Sequence, residues 1–292
     1  MNDTKIFHEQ LLIAALSGFI AISWMDRLLA SDVGSTTPSA TKPAVEIVSA
    51  AKVNWVQLNP ARGSNSPQAA TLWGDLKGRV ATGFLAKFID GFSSPPHIHN
   101  ATYRAVVIDG YIHNDDPKAA DMWMGPGSFW TQPKGETHIT AARGATNVAL
   151  VEIDQGPYLV RPPEEAFESG EKAINLDASN IVWVAMPSVS GRASEVKITY
   201  LWGNPEDGFS YGSFLKLPAN FTGKISNRGS NFRAVVIKGE PNYLSTERKT
   251  LTPGSYFGVK AESEHPISSD GRLETILYVR TNGRYSVIDA RR

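Results

Sequence analysis

A chain of 292 residues that is 41% hydrophobic can bury one large core or two medium ones, and its 29 lysines and arginines balance its 29 aspartates and glutamates. The neutral total leaves no overall field to draw the protein to nucleic acid or to an anionic membrane surface. With no cysteine, disulfides, zinc–cysteine sites and thiol nucleophiles are excluded. Any metal must rest on His, carboxylate, Tyr or backbone oxygen, so the six histidines carry weight.

Residues 1–30 read as a signal-like or anchor segment. The uncharged apolar run from Leu11 to Trp24 is too short for a comfortable membrane span and suits a signal-peptide core, with "LLASD" as a cleavage region. Asp3 and Glu9 beside Lys5 depart from the usual positive leader, and a helix docked on the body is the other reading. The expectation is export to the periplasm or beyond, or an N-terminal tether touching the membrane. Residues 31–44, rich in Ser, Thr and Pro, read as a flexible linker.

The body repeats itself. "VNWVQLNP" near Trp55 matches "IVWVAMPS" near Trp183, "LWGD" matches "LWGN", "YRAVVIDG" matches "FRAVVIKG", and "GPGSFW" matches "TPGSYF". The matches keep one order at an offset of 127 to 129 residues, which is a tandem duplication: residues 45–157, a linker over 158–172 with a short helical piece, and residues 173–292. Within each copy, short segments rich in Val, Ile, Trp and Tyr are bounded by Gly, Pro, Asn and Asp, and no long amphipathic helix competes. The expected fold class is all-β, a sandwich or small barrel in each copy.

In the first copy Gly91, His97, His99 and Gly110 are followed by Gly127, Pro133, Gly135 and His138. This spacing resembles the two motifs of the cupin superfamily, with two departures: Tyr103 stands where the family has a glutamate and Ala142 where it has an asparagine. The resemblance implies two tandem cupin domains, each a double-stranded β-helix or jelly roll. The stretches "PPHIHNATYR" and "PGSFWTQPKGETH" resemble a bacterial bicupin family with no assigned reaction. Homodimers are frequent among cupins, so the resemblance also implies a possible homodimer.

The residues support the same site on chemical grounds. His97 and His99, two apart on a strand, project to one face and can converge on a point about 2 Å from each ring nitrogen. The Pro-x-Gly turn before His138 aims a third imidazole from another strand. Three neutral ligands leave a divalent ion its full charge and open positions, as a catalytic site requires. The expected cofactor is one divalent transition metal, Fe, Mn, Ni or Zn, in the N-terminal copy alone. Tyr103 is a phenolate ligand, a hydroxyl donor to a bound water or substrate, or an aromatic core residue; Phe232 in the matching place favours the last. Glu136 is a fourth ligand, an outer partner or a solvent-facing turn residue.

Arg104, Trp130 and Gln132 are candidate pocket residues, with Arg104 as an anchor for a substrate carboxylate. Its counterpart Arg233 makes a structural ion pair for both arginines the more economical explanation. In the second copy the first two histidines fall on Ser226 and Arg228, or on Lys224 and Ser226, so only His265 remains and the site is degenerate. The expected partner is a small molecule: a metal-dependent enzyme acting on a small oxygenated compound, with Fe(II) dioxygenase chemistry as the sharpest version and isomerase or hydrolase chemistry on the same ligands. A metal-holding ligand sensor and a carbohydrate-binding jelly roll that uses the tryptophans are the rivals.

Overall fold

The computed structural model describes residues 44–187 and 195–290. The leader and nearly all of the Ser/Thr/Pro linker lie outside the described residues. Among the described residues no helix is long and apolar enough to cross a membrane; helical structure is confined to four short 3-10 turns, one of them Pro163–Glu165 in the stretch read as a linker.

β-branched and aromatic residues alternating between two faces place these segments in sheets. One seven-stranded antiparallel sheet runs in the order Ile174–Leu176, Phe129–Gln132, Tyr103–Asp115, Ile139–Ile153, Thr82–Phe88, Gln68–Trp73, Val56–Gln57. The other runs Glu46–Val48, Tyr256–Val259, Phe232–Lys238, Thr275–Thr281, Tyr211–Leu217, Lys197–Gly203, Val184–Ala185. Position by position the two orders correspond. The outermost strand of each belongs in sequence to the other half: Glu46–Val48 pairs with Tyr256–Val259, and Ile174–Leu176 with Phe129–Gln132. A five-stranded sheet, Arg248–Thr250, Asn242–Leu244, Ser263–Ser268, Thr222–Asn227 and Tyr285–Asp289, completes the second half. In the first half the far ends of the long strands Tyr103–Asp115 and Ile139–Ile153, with the pair Ile98–His99 and Val160–Arg161, take its place.

Strand parity divides the side chains into three cores. Tyr103, Ala105 and Val107 point into the first half, among Phe84, Trp130 and Val151. Val106 and Ile108, one residue out of phase, meet Phe129, Leu150, Phe214, Val235, Tyr256 and Tyr278 in the seam between the two large sheets. Phe221, Ile225, Phe232, Tyr243, Phe257 and Tyr285 fill the second half. The repeated "LWG" segments do the same work twice: Trp73 lies flat on Gly83 and Trp202 on Gly212, where a Cβ would overlap the indole. Only glycine permits that approach.

Candidate metal centre

His97 enters the first barrel beside His138 through paired backbone hydrogen bonds, His97 N to His138 O and His138 N to His97 O, both 3.0 Å. His99, on the same face of the chain, follows on the short strand Ile98–His99. One ring nitrogen from each of the three lies within 4.8 Å of the others. His99 and His138 are buried and His97 half-buried.

The other ring nitrogens explain why these three can act together. His97 Nδ1 lies 2.9 Å from the Pro95 carbonyl, His99 Nδ1 3.0 Å from that of Leu159, and His138 Nδ1 3.2 Å from that of Glu136. A carbonyl only accepts, so each Nδ1 carries the proton and each Nε2 keeps its lone pair. This arrangement fixes ring orientation and tautomer around a metal. Burial lowers the pKa of all three rings, that of His138 to about 3, and their mutual repulsion lowers His99 further. They are neutral at pH 7 and need shed no proton to bind a cation.

The Tyr103 hydroxyl is protonated and already bonded in this structure. Burial pushes its pKa up to about 12, and its hydroxyl donates to Asn114 Oδ1 at 2.8 Å, leaving only a 3.4 Å approach to His138 Nε2. Asn114 also accepts from Thr140 and donates to Gln132, whose amide donates to the Glu136 carbonyl at 3.2 Å, the same carbonyl that orients His138. Gln132 is therefore an outer link in this chain and not a cavity wall. The Glu136 side chain is exposed and faces a separate surface depression beside Phe167. Its contribution is the carbonyl, because the turn that delivers His138 points the carboxylate outward.

The cavity above the histidines is about 450 Å³. His97, His99, Tyr103 and Trp130 reach its wall, with Phe84, Phe88, Phe92 and Val151 supplying most of the rest. Arg104 is not there. Out of phase with Tyr103, it points into the seam, pairs with Asp154 at 3.0 Å and stacks 3.7 Å over Trp202. The cation that does line the cavity is Arg62, half-buried at the mouth, 5.1 Å over the Phe92 ring.

Tyr158, in the stretch read as a linker, is, with Arg62, a cavity-lining residue that sequence reasoning missed. Its ring stacks on His99 at 4.4 Å and its hydroxyl lies 3.2 Å from His99 Nε2. Burial holds it well above its ordinary pKa, so it is a donor. The alternation of Tyr158 and Val160 in "GPYLV" is the faint signal that this segment leads into a strand, Val160–Arg161.

His113 is buried against Met122 and Trp123, away from the cluster. In the second half Ile225 sits opposite His265 as His97 sits opposite His138. This register corrects the alignment made from sequence: Ile225 and Asn227, not a cation or a serine, stand in for His97 and His99. His265 has both nitrogens engaged, Nδ1 by Tyr243 and Nε2 by Ser263, each at 2.9 Å.

Residues 46–288 match the model of a family described as a domain of unknown function, DUF4437. No curated protein matches the sequence. Solved structures share the architecture. One described as a candidate dioxygenase from Nostoc punctiforme is 14% identical, with a TM-score of 0.63 over 84% of this chain and 86% of that one. The salicylate 1,2-dioxygenase of Pseudaminobacter salicylatoxidans is 12% identical, with a TM-score of 0.53 over 87% and 91%. An oxalate decarboxylase of Lactobacillus farciminis is 11% identical, with a TM-score of 0.53 over 84% and 88%. At these identities the likeness establishes the fold, an all-β cupin jelly roll.

Proposed function

The chain belongs to the DUF4437 family, and we propose that it is a bicupin enzyme with one divalent transition metal in its N-terminal half, acting on a small oxygenated carboxylate. The observation that carries this reading is the matched set of carbonyl acceptors behind His97, His99 and His138, which leaves each Nε2 unprotonated in a cluster whose ligand atoms lie within 4.8 Å of one another, beside a largely apolar cavity that His97 and His99 reach. Such a donor set fits Fe(II), Mn, Ni or Zn, and the bound ion would supply Lewis acidity and, as iron, oxygen chemistry at its open positions.

The chain's own residues then have definite tasks. Phe84, Phe88 and Phe92 exclude water and pack an apolar or aromatic body. Arg62 at the mouth is suited to a carboxylate, the role that Arg104 cannot take from the seam. Tyr158, protonated and beside His99 Nε2, is placed to donate to a substrate oxygen once that nitrogen is engaged. Tyr103 and Gln132 hold the rings in place through Asn114 and the Glu136 carbonyl. Two of the proteins that share this fold are named for dioxygenase activity, which supports oxygen-dependent oxidation over isomerisation or hydrolysis.

The carbohydrate reading finds less support. Trp55, Trp183 and Trp123 are each covered by a cation, Lys87, Lys216 and Arg143, and Trp73, Trp130 and Trp202 are internal or in the seam. The test is elemental analysis of anaerobically purified protein, followed by oxygen uptake with a panel of aromatic hydroxy acids, diketones and enediols. Near one transition-metal ion per chain with uptake on one substrate class is expected; stoichiometric metal with saturable binding and no product would establish the sensor instead.

A further inference from the structure

A second depression, about 400 Å³, opens at the seam and is lined by Glu46, Trp73, Asn231, Arg233, Tyr256 and Lys260 among others. Three side-chain atoms of its lining residues, Trp73 Nε1, Asn231 Oδ1 and Arg233 Nη1, are buried with no hydrogen-bond partner among the described residues. Buried polar atoms in folded proteins are seldom left this way. Arg233 is only 9% exposed and Trp73 5%. The guanidinium lies 5.3 Å from the Trp73 ring, and no ion pair reaches it among the described residues.

The first half shows what is missing. Arg104 and Arg233 hold matching places, paired in register with Glu152 and Arg280, and each stacks on the indole of the opposite half. Two residues beyond Glu152 is Asp154, which neutralises Arg104. Two residues beyond Arg280 is Asn282, whose amide is engaged by the Asn231 backbone and Ser230. The second arginine thus has the geometry of the first without the ion pair that Asp154 makes there; Tyr256 and the more distant Glu152 are what act on it. Glu46 and Lys260 are both exposed lining residues of the depression.

We propose that this seam depression binds a small organic carboxylate, which accepts from Arg233 and Trp73 and presents a hydroxyl or amino donor to Asn231. The bound carboxylate takes the place that Asp154 holds in the first half. Burial lowers the Arg233 pKa from its ordinary value while the Tyr256 hydroxyl and Glu152 oppose that pull, and an incoming anion would relieve the same penalty. The site faces the seam and not the histidine cavity, so it suits an effector that reports on one half to the other.

Calorimetric titration of malate into the full chain, stripped of metal with phenanthroline, tests this. One malate per chain is expected, weakened at least tenfold in Arg233→Gln, weakened in Trp73→Phe, which keeps the ring and removes the N–H, and unaltered in Arg62→Gln. Asn282→Asp supplies an internal carboxylate and is expected to abolish malate binding while raising the melting temperature, which keeps the proposal testable if Arg233→Gln fails to fold. Absence of saturable binding to the folded wild type, or binding that Arg62→Gln abolishes and the Arg233, Trp73 and Asn282 variants leave intact, would overturn it.

Discussion

The two halves run their strands in the same order and use one of their histidines in the same place to opposite ends. His138 turns Nδ1 to a backbone carbonyl and leaves Nε2, beside two like rings, only the long 3.4 Å approach of the Tyr103 hydroxyl; His265 has one nitrogen on Tyr243 and the other on Ser263, each at 2.9 Å, and stacks on Phe232 at 4.5 Å. Both rings are buried and both have depressed pKa values, about 3 and about 4. Burial and pKa therefore do not separate a ligand from a core residue. What separates them is whether the second nitrogen is already spent.

The sharpest way to break this comparison is His138→Ala, which is expected to remove bound metal beyond the roughly 10–100-fold that outer partners are worth. Elemental analysis reads it directly, and metal retained near stoichiometry would remove the assignment. Grafting the missing ligands into the second half, Ile225→His with Asn227→His, is expected to yield no second metal and a loss of about 2–5 kcal/mol in denaturant unfolding. Ile225 is packed in a filled core, and Asn227 already bonds Gly229, Ala261 and Thr281. His265→Ala is the reciprocal case. It strands the Tyr243 and Ser263 hydroxyls and leaves a cavity, so it should cost about 2–4 kcal/mol of stability while leaving the metal content unchanged.

Acid gives a smaller, graded effect. Above the ordinary histidine pKa of 6.5, His138 and His265 are neutral in folded and unfolded chains alike and contribute nothing to pH dependence. Below it the unfolded chain takes up protons that the folded one refuses, so stability falls as pH drops from 6.5 toward about 4 for His265 and about 3 for His138, by up to ~1.4 kcal/mol per pH unit for each ring. Melting curves between pH 7 and 4.5 should show this slope, and His265→Ala should flatten its share. Protons also compete with metal for the first-half cluster, so metal release should accompany the fall. The smallest expected effect is Tyr158→Phe: metal content holds, the stack on His99 persists, and turnover falls about tenfold, the value of one hydrogen bond of ~1.4 kcal/mol. A change in metal content instead would make Tyr158 a partner of the metal centre and not of the substrate.

Much of this was legible in the chain. Short β-rich segments between turn residues declared an all-β fold, and the His-x-His pair with the later Pro-x-Gly-x-x-His named three residues that the fold brings together. Those patterns are local, set by strand parity and turn chemistry within a few residues. Parity also decides between the two readings of Arg104: one residue from Tyr103, it is sent to the seam, where it makes the structural ion pair with Asp154 and does not line the cavity.

The sequence by itself determined the sheet-forming character of the body, the repeated segments and the histidine spacing. Tertiary structure alone decided that the Leu159 carbonyl fixes the His99 tautomer, that Tyr158 returns from a supposed linker to stack on His99, that Arg62 and not Arg104 reaches the cavity, and that Ile225 replaces His97 in the second half. Each of these depends on registers between strands far apart in the chain, 57 to 60 residues for the contacts of Asn100 and His99 with Pro157, Tyr158 and Leu159. Such registers are set by the packing of the whole barrel, and no local pattern encodes them.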